Sequence, residues 1–155
     1  MTKTGDTKYS VDLPCPVLTE TLEAKVLVGD TQWMIGANHY IDVKNAQNTE
    51  IYPWFYTTKG KTSIIDNVYS EQFDNKRSVI FYTPPSYLEN TLKVHKNVMV
   101  MHDGQNLFDP KTAFLGNSWL IGPTLDAAIV NGQIEEVFIV GPYNTDARMD
   151  EYTYV

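Results

Sequence analysis

The sequence predicts an α/β fold preceded by a small β-rich segment, because the apolar pattern changes once along the chain. From residue 21 to about residue 72, short runs of β-branched and aromatic residues are interrupted by turn residues, which is typical of a small antiparallel sheet or half of a sandwich. From residue 73 to residue 155, apolar runs lose their alternation and flank a helix-like stretch, which indicates a sheet covered by helices. Residues 1–20 form a polar leader that we expect to be extended or disordered, with Pro14 and Pro16 opposing a helix.

The β-rich segment contains several short candidate strands next to turn residues. Pro53 inside one of them indicates an edge strand or a bulge. Trp33, Tyr52 and Trp54 are candidates for stacking on a sugar, and packing in a core is the alternative for the same side chains. The candidate strands are Ala24–Val28, Trp33–Ile35, Tyr40–Val43, Ile51–Tyr56 and Ser63–Ile65.

The later part of the chain has three apolar runs without alternation, Val79–Tyr82, Asn97–Met101 and Val137–Val140. Such strands are predicted to be buried on both faces. Pro123–Val130 predicts a helix, since a proline stands near its first turn and Gly132 follows just beyond its end. The order strand, helix, strand predicts a parallel pair made by the second and third runs.

Composition and charge exclude several classes of function. The net charge is −7 and lysines and arginines form no cluster, so nucleic-acid binding is not expected. The start of the chain lacks the apolar stretch of a signal peptide, and no window has the length of a membrane span. The single Cys15 cannot form an internal disulfide. The sequence therefore predicts a soluble cytoplasmic protein without a membrane partner.

Two polar loops follow the second and third apolar runs, and ligands bind beyond the carboxyl ends of strands in open α/β sheets. These loops are His102–Asn106 and Tyr143–Arg148. Ordinary solvated loops are the alternative interpretation.

Three stretches of the chain together resemble a known family. They are RSVIFYTPPSY at 77–87, VMVMHDGQNLF at 98–108, and the segment from Val140-Gly141 through Arg148 to Glu151-Tyr152. Together these stretches are similar to the amino-terminal part of a family of α/β-hydrolases that includes esterase D, enterochelin esterases, feruloyl esterases and mycolyltransferases. The resemblance covers about residues 70–155, and its spacing across three successive strand ends is more specific than any one motif. The stretch before it is similar to accessory domains found ahead of such esterases, some of them carbohydrate-binding-like.

The resemblance implies a partial α/β-hydrolase sheet, a small ester as substrate and no cofactor. One donor of the oxyanion hole in this fold is a backbone N–H in the loop after an early strand, and the matching group here is the Gln105 amide. Gly104 beside it would let the backbone approach the substrate closely. The resemblance puts four further side chains on the rim of the substrate site, and it implies substrate contact or loop anchoring for Arg148 and Tyr152. The four are Asp103, Asn106, Arg148 and Tyr152.

The chain departs from the family at the nucleophile. The family serine occupies G-x-S-x-G on a strand-to-helix turn, and Gly116–Leu120 comes nearest but lacks the final glycine. Ser118 is therefore predicted to be a cap or loop serine. None of His39, His95 and His102 stands where the family base would follow. We expect the 155 residues alone to be inactive, to end in mid-domain, and to expose an apolar sheet edge that a partner chain could complete.

Metal binding is not expected, because no H-E-x-x-H or C-x-x-C spacing occurs and the stretch from Asp103 to Asp109 does not follow a calcium-loop pattern. Two other functions remain open at this stage. The chain could be a non-catalytic subunit or pseudo-enzyme interaction module, or its β-rich part could bind carbohydrate.

Overall fold

A computed structural model describes residues 1–13, 20–44 and 48–153, and this part of the chain is mostly sheet with two short helices. The predicted β-rich character is therefore confirmed. The helices are α1 (Ile121–Val130) and α2 (Arg148–Tyr152). The strands are β1 (Thr2–Lys3), β2 (Tyr9–Ser10), β3 (Thr21–Ala24), β4 (Leu27–Val28), β5 (Gln32–Trp33), β6 (His39–Asp42), β7 (Lys61–Ser70), β8 (Asn75–Thr83), β9 (Val98–Val100) and β10 (Phe138–Pro142).

One compact unit contains Met1–Lys25 and Asn38–Ile51. Its strands form two antiparallel pairs, β1 with β2 and β3 with β6. Strand pairing thus orders part of the predicted leader, while Pro14, Cys15 and Pro16 lie outside the described residues. The described strands of this unit pair two by two, and a sandwich stays a prediction.

The other unit contains Val26–Ala37 and Tyr52–Val155. The hairpin of β4 and β5 belongs to it, and so does a four-stranded sheet with the order β7-β8-β10-β9. β7, β8 and β10 are antiparallel neighbours, whereas β10 and β9 run parallel with α1 between them in the chain. The predicted parallel pair is confirmed. β7 precedes the predicted division at residue 73 yet pairs with β8, which follows it.

The core of this unit lies beneath β8 and β10. Tyr82, Leu107 and Ile139 are at most 1% exposed, and Ile80 and Val137 complete the buried cluster. The Tyr82 hydroxyl donates to Asp126 of α1 at 2.8 Å, so the helix is bonded to the sheet as well as packed on it. Burial of these apolar side chains is the main stabilising contribution.

The prediction that the second apolar run is buried on both faces was wrong. In β9, Val98 is 63% exposed, Met99 48% and Val100 62%. The reason is topological, since β9 is the edge strand of the sheet and has β10 as its neighbour on one side.

The predicted strand at Ile51–Tyr56 was also wrong. The backbone N–H groups of Phe55, Tyr56 and Thr57 donate to the Glu89 carboxylate instead of to a neighbouring strand. Trp54 is 7% exposed and its indole N–H donates to the Thr57 carbonyl at 2.9 Å. Core packing is therefore the correct interpretation of this tryptophan.

Candidate functional site

The loops after β9 and β10 meet at the carboxyl ends of the parallel pair. Gly104–Asn106 forms one 3₁₀ turn shortly after β9, and α2 begins at Arg148 shortly after β10. Side chains of the two loops hydrogen-bond to one another, with Asp103 of the first loop bonded to Asn144 and Arg148 of the second. The sheet topology thus brings together the two loops that the sequence singled out.

Asp103 is the centre of the contact between the loops. Asp103 is 8% exposed, and its carboxylate accepts two hydrogen bonds from the Arg148 guanidinium, at 3.0 and 2.8 Å. The Asn144 amide donates a third at 2.9 Å. Hydrogen bonds from Arg148 lower the pKa of Asp103, burial opposes this, and Asn144 adds to the lowering. Asp103 therefore stays ionised and holds both loops in a fixed relation.

Gly104 lies directly against β10. A Cβ atom built on it would be 2.1 Å from the Gly141 carbonyl oxygen, which is much closer than any side chain could come. Only glycine therefore fits here without moving the backbone of a central strand. The close contact fixes how far the 3₁₀ turn stands from the sheet.

The Gln105 amide is the group predicted to bind an oxyanion. Its carbonyl accepts a hydrogen bond from Thr112 at 2.7 Å, and its side-chain oxygen accepts one from the Asn144 N–H at 3.2 Å. Gln105 is the second residue of a 3₁₀ turn, where a backbone N–H has no partner inside the turn. Among the described residues, no acceptor for this N–H is found. The amide is thus a free donor in a rigid turn.

Asn106 holds the segment that follows. Its side-chain oxygen accepts the Phe114 N–H and its carbonyl accepts the Trp119 N–H, both at 2.8 Å. Asn106 is 9% exposed. The predicted rim position therefore needs correction for Asp103 and Asn106, since both residues are buried and their side-chain oxygens accept hydrogen bonds within the protein.

Arg148 and Tyr152 are the outer members of the site. The Arg148 side chain is 45% exposed, and its guanidinium carbon lies 5.3 Å from the centre of the Tyr152 ring. The Tyr152 hydroxyl is 2.7 Å from Nδ1 of His102. The sequence did not predict this contact, because His102 and Tyr152 are 50 residues apart and no local pattern connects them.

A second missed contact anchors α2. Glu151 accepts a hydrogen bond from Arg77 of β8 at 2.8 Å, and the two side chains are 15% and 16% exposed. The Thr145 hydroxyl donates to the same carboxylate oxygen at 2.9 Å. The short helix is thereby held on the sheet.

The candidate nucleophile Ser118 is not arranged for catalysis. Its hydroxyl oxygen is buried, and among the described residues it has no hydrogen-bond partner. A nucleophilic serine needs a base within hydrogen-bond distance. The structure therefore agrees with the prediction that Ser118 is a loop serine.

His95 lies at the amino ends of β9 and β10 with Ser86, Lys93 and Glu136. The Glu136 carboxylate accepts the Ser86 N–H at 3.0 Å and the Ser86 hydroxyl at 2.6 Å, and it pairs with Lys93. Burial alone would raise the pKa of Glu136, but the bonds from Lys93 and Ser86 outweigh it and lower this pKa. Nδ1 of His95 is 3.7 Å from Glu136, and neither ring nitrogen makes a hydrogen bond within the described residues.

Within the described ranges, no group of three or more His, Cys, Asp or Glu side chains could hold a metal ion. The same part of the chain has no helix with the length and apolar character needed to cross a membrane. Comparison with known proteins assigns the chain to no family, since no family model matches it and no curated protein matches it significantly.

Proposed function

We propose that this chain is the amino-terminal part of a serine carboxylesterase-like hydrolase of the α/β-hydrolase fold. Its contribution is one donor of the oxyanion hole, the Gln105 amide. The observation that carries the proposal is the free N–H of Gln105 in a rigid turn at the carboxyl end of β9. This turn lies between the third strand of the four-stranded sheet, counted along the chain, and α1. An oxyanion donor of α/β-hydrolases comes from the corresponding loop.

The rigidity of the turn supports this role. A donor stabilises a tetrahedral intermediate well when it is held in place before the reaction, so that no reorganisation is needed. Gly104 is packed on Gly141, and the bidentate bond to Arg148 holds Asp103, the residue directly before the turn. One such donor contributes about 3 kcal/mol to the transition state.

The reaction in this proposal is acyl transfer. A serine gives its proton to the base and attacks the ester carbonyl, whose oxygen becomes negative and accepts the Gln105 N–H. Collapse of the intermediate breaks the bond to the alcohol oxygen, which takes the proton back from the base, and water then hydrolyses the acyl-enzyme. Serine, base and acid come from another segment in this proposal, because no G-x-S-x-G occurs within these 155 residues.

The open edge of the sheet supports a further part of the proposal. β9 exposes apolar side chains on both faces, and its outer edge has no neighbouring strand among the described residues. A strand of another segment or of a partner chain is proposed to pair there. The same edge favours the alternative function, in which the chain is a non-catalytic subunit or interaction module that is completed by its partner.

Carbohydrate binding has weaker support. Trp54 is buried and cannot stack on a sugar, whereas Trp33 is 56% exposed. Only one of the two candidate tryptophans is therefore exposed, and carbohydrate binding is not proposed.

The first experiment is to read the coding sequence after codon 155. A G-x-S-x-G pentapeptide followed by an acid and a histidine is expected, and an in-frame stop would instead favour the non-catalytic subunit. Hydrolysis of p-nitrophenyl acetate by the 155-residue chain is expected to equal that of its Ser118→Ala variant.

A matched pair of substitutions then tests the amide in the longer protein. Gln105→Pro removes the N–H and is expected to lower kcat by about 10²–10³-fold, whereas Gln105→Ala keeps the N–H and is expected to lower kcat by less than about fivefold. Circular dichroism controls for folding of both variants. Equal effects of the two substitutions would contradict a role for the backbone donor.

A further inference from the structure

The loop between the Gly104–Asn106 turn and α1 exposes large apolar side chains in succession. We call residues 113–120 the apolar loop. Phe114 is 75% exposed, Leu115 80%, Trp119 50% and Leu120 56%. Leu107, only a few residues earlier, is completely buried. The segment from residue 113 to residue 125 contains no charged side chain. Such a surface next to a polar site is typical of ligand-binding regions.

Two leucines of the apolar loop have a backbone conformation that leucine rarely adopts. Leu115 has φ 54° and Leu120 has φ 55°, both in the left-handed region. Local bonds hold them there, since Gly116 donates to Ala113 at 3.0 Å and the Thr124 hydroxyl donates to the Leu120 carbonyl at 2.9 Å. Strain of this kind, at exposed apolar residues that stabilise no core, indicates a function for their position.

The apolar loop is tied to the residue that follows Gln105. Asn106 accepts the N–H groups of Phe114 and Trp119, and the Thr112 hydroxyl donates to the Gln105 carbonyl. Two hydrogen bonds from the apolar loop, and one from Thr112 directly before it, therefore hold the loop beside this amide. A ligand bound at that amide would have this apolar surface as its neighbour.

We propose that the apolar loop binds the alkyl or aryl group of the ester whose carbonyl oxygen accepts the Gln105 N–H. This inference rests on the proposed function and deepens it, since it names the substrate class as neutral esters with an apolar acyl or alcohol part. A charged acyl group would find no counter-ion in the loop, and the nearby Arg148 is already paired with Asp103. Apolar contact therefore determines which esters bind.

Nuclear magnetic resonance of the ¹⁵N-labelled 155-residue chain tests the proposal without any need for turnover. Methyl hexanoate is the probe, and a methyl ester of similar length whose chain carries ether oxygens is the polar control. Methyl hexanoate is expected to shift the amide signals of Gln105 and of the apolar loop together, with a Kd about tenfold lower than that of the polar control.

Substitutions assign the binding to the loop. Leu115→Asn combined with Leu120→Asn removes two apolar side chains with a residue that tolerates the left-handed conformation, so folding is retained. This variant is expected to raise the Kd for methyl hexanoate about tenfold. Leu92→Asn, at a leucine that is also 56% exposed but precedes β9, is the matched control and is expected to leave the Kd unchanged.

Three outcomes would overturn the inference. Equal shifts of Gln105 by both esters, without a response in the loop, would do so and still leave the proposed oxyanion donor standing. Loop shifts without any change at Gln105 would show that the apolar surface does not serve the ester site. Loop shifts that depend on protein concentration in the absence of ester would assign the surface to contact with a second copy of the chain.

Discussion

The two ends of the parallel pair of β9 and β10 each contain a buried carboxylate, and they differ in what surrounds it. At the amino end, Glu136 is 7% exposed and accepts bonds from Ser86 and Lys93. At the carboxyl end, Asp103 is 8% exposed and accepts bonds from Arg148 and Asn144. Burial and hydrogen bonding of the carboxylate are thus nearly the same at both ends.

The difference lies in the neighbouring donors and in access from solvent. Ser86 is completely buried, and its backbone N–H is used by Glu136. Beside Asp103, the Gln105 N–H has no acceptor among the described residues, and Arg148 and Tyr152 are close to half exposed. A buried, well-bonded carboxylate therefore does not mark a binding site by itself. The carboxyl end differs in having the Gln105 backbone donor, for which the described residues provide no acceptor.

The largest expected effect comes from removing the Glu136 carboxylate at the amino end of the parallel pair. Glu136→Ala leaves the Ser86 hydroxyl and Lys93 without their buried partner and is expected to lower the free energy of unfolding by about 3 kcal/mol. Asp103→Ala is expected to cost about 2 kcal/mol, since water can reach Arg148. Urea denaturation measures both. A larger loss of stability for Asp103→Ala than for Glu136→Ala would contradict the expected difference between the two ends.

At the carboxyl end, the geometry of the ion pair between Asp103 and Arg148 should matter more for stability than its charge. Arg148→Lys keeps the charge but cannot make the bidentate contact, and we expect a loss of about 1 kcal/mol. Amide hydrogen exchange of Gly104–Asn106 should become faster in this variant while exchange around Ser86 stays the same. Arg148→Met should have the larger effect on the same turn. Unchanged exchange in both variants would show that Arg148 does not hold the turn.

The two ends should also lose stability in different pH ranges. Burial lowers the pKa of His95, Glu136 opposes this and Lys93 adds to it. The unfolded chain therefore takes up the proton first, and the His95 contribution, complete above the ordinary value of 6.5, is lost as the pH falls below it. Asp103, whose pKa is lowered, keeps its contribution until the pH falls below its ordinary value of 3.8.

Residue-resolved hydrogen exchange between pH 7 and pH 5, corrected for the intrinsic rates, measures this difference. Protection near Ser86 should fall and protection near Gly104 should not. His95→Gln is expected to reduce the loss of protection near Ser86. If protection at both ends fell together in the unmodified chain, the ends would not titrate independently.

The smallest expected effect is that of Ser118→Ala. Because the buried hydroxyl has no partner among the described residues, its removal is expected to be neutral or to stabilise by up to about 1 kcal/mol. Thermal unfolding measures the effect, with Ser86→Ala as a control that should destabilise. A loss of stability in Ser118→Ala would mean that an ordered water bonds to this hydroxyl.

Local patterns in the sequence predicted the elements whose partners are close along the chain. The parallel pair of β9 and β10 follows from two apolar runs around a helix, and Gly132, at φ 68°, follows α1 as expected. The pattern of β9 could not show its exposure, because the neighbours of a strand are set by the whole sheet. The backbone of Phe55–Thr57 bonds to Glu89, more than thirty residues away, and no local rule predicts such a partner.

The sequence predicted which loops form the candidate site, but not how their side chains are buried and bonded. The resemblance pointed to Gly104 and Gln105, and the sheet topology brings Arg148 and Tyr152 to the same end. Which side chains are buried could not be read from polar loops, so Asp103 was expected at the rim although it holds the loops together.

The contact between Gly104 and Gly141 has a consequence for how this sequence can change over generations. A side chain on Gly104 would collide with the Gly141 carbonyl, and one on Gly141 would lie 2.8 Å from side-chain atoms of Ile80 and Leu107 and 3.2 Å from the Gly104 Cα. Each position therefore restricts the other: a side chain on Gly104 would have to move the strand backbone, and one on Gly141 would have to displace Ile80 and Leu107. Effects at residues in contact do not add, so a change at this pair becomes accessible after compensating changes in the strands around it. The two glycines are therefore expected to change together with their neighbours rather than singly.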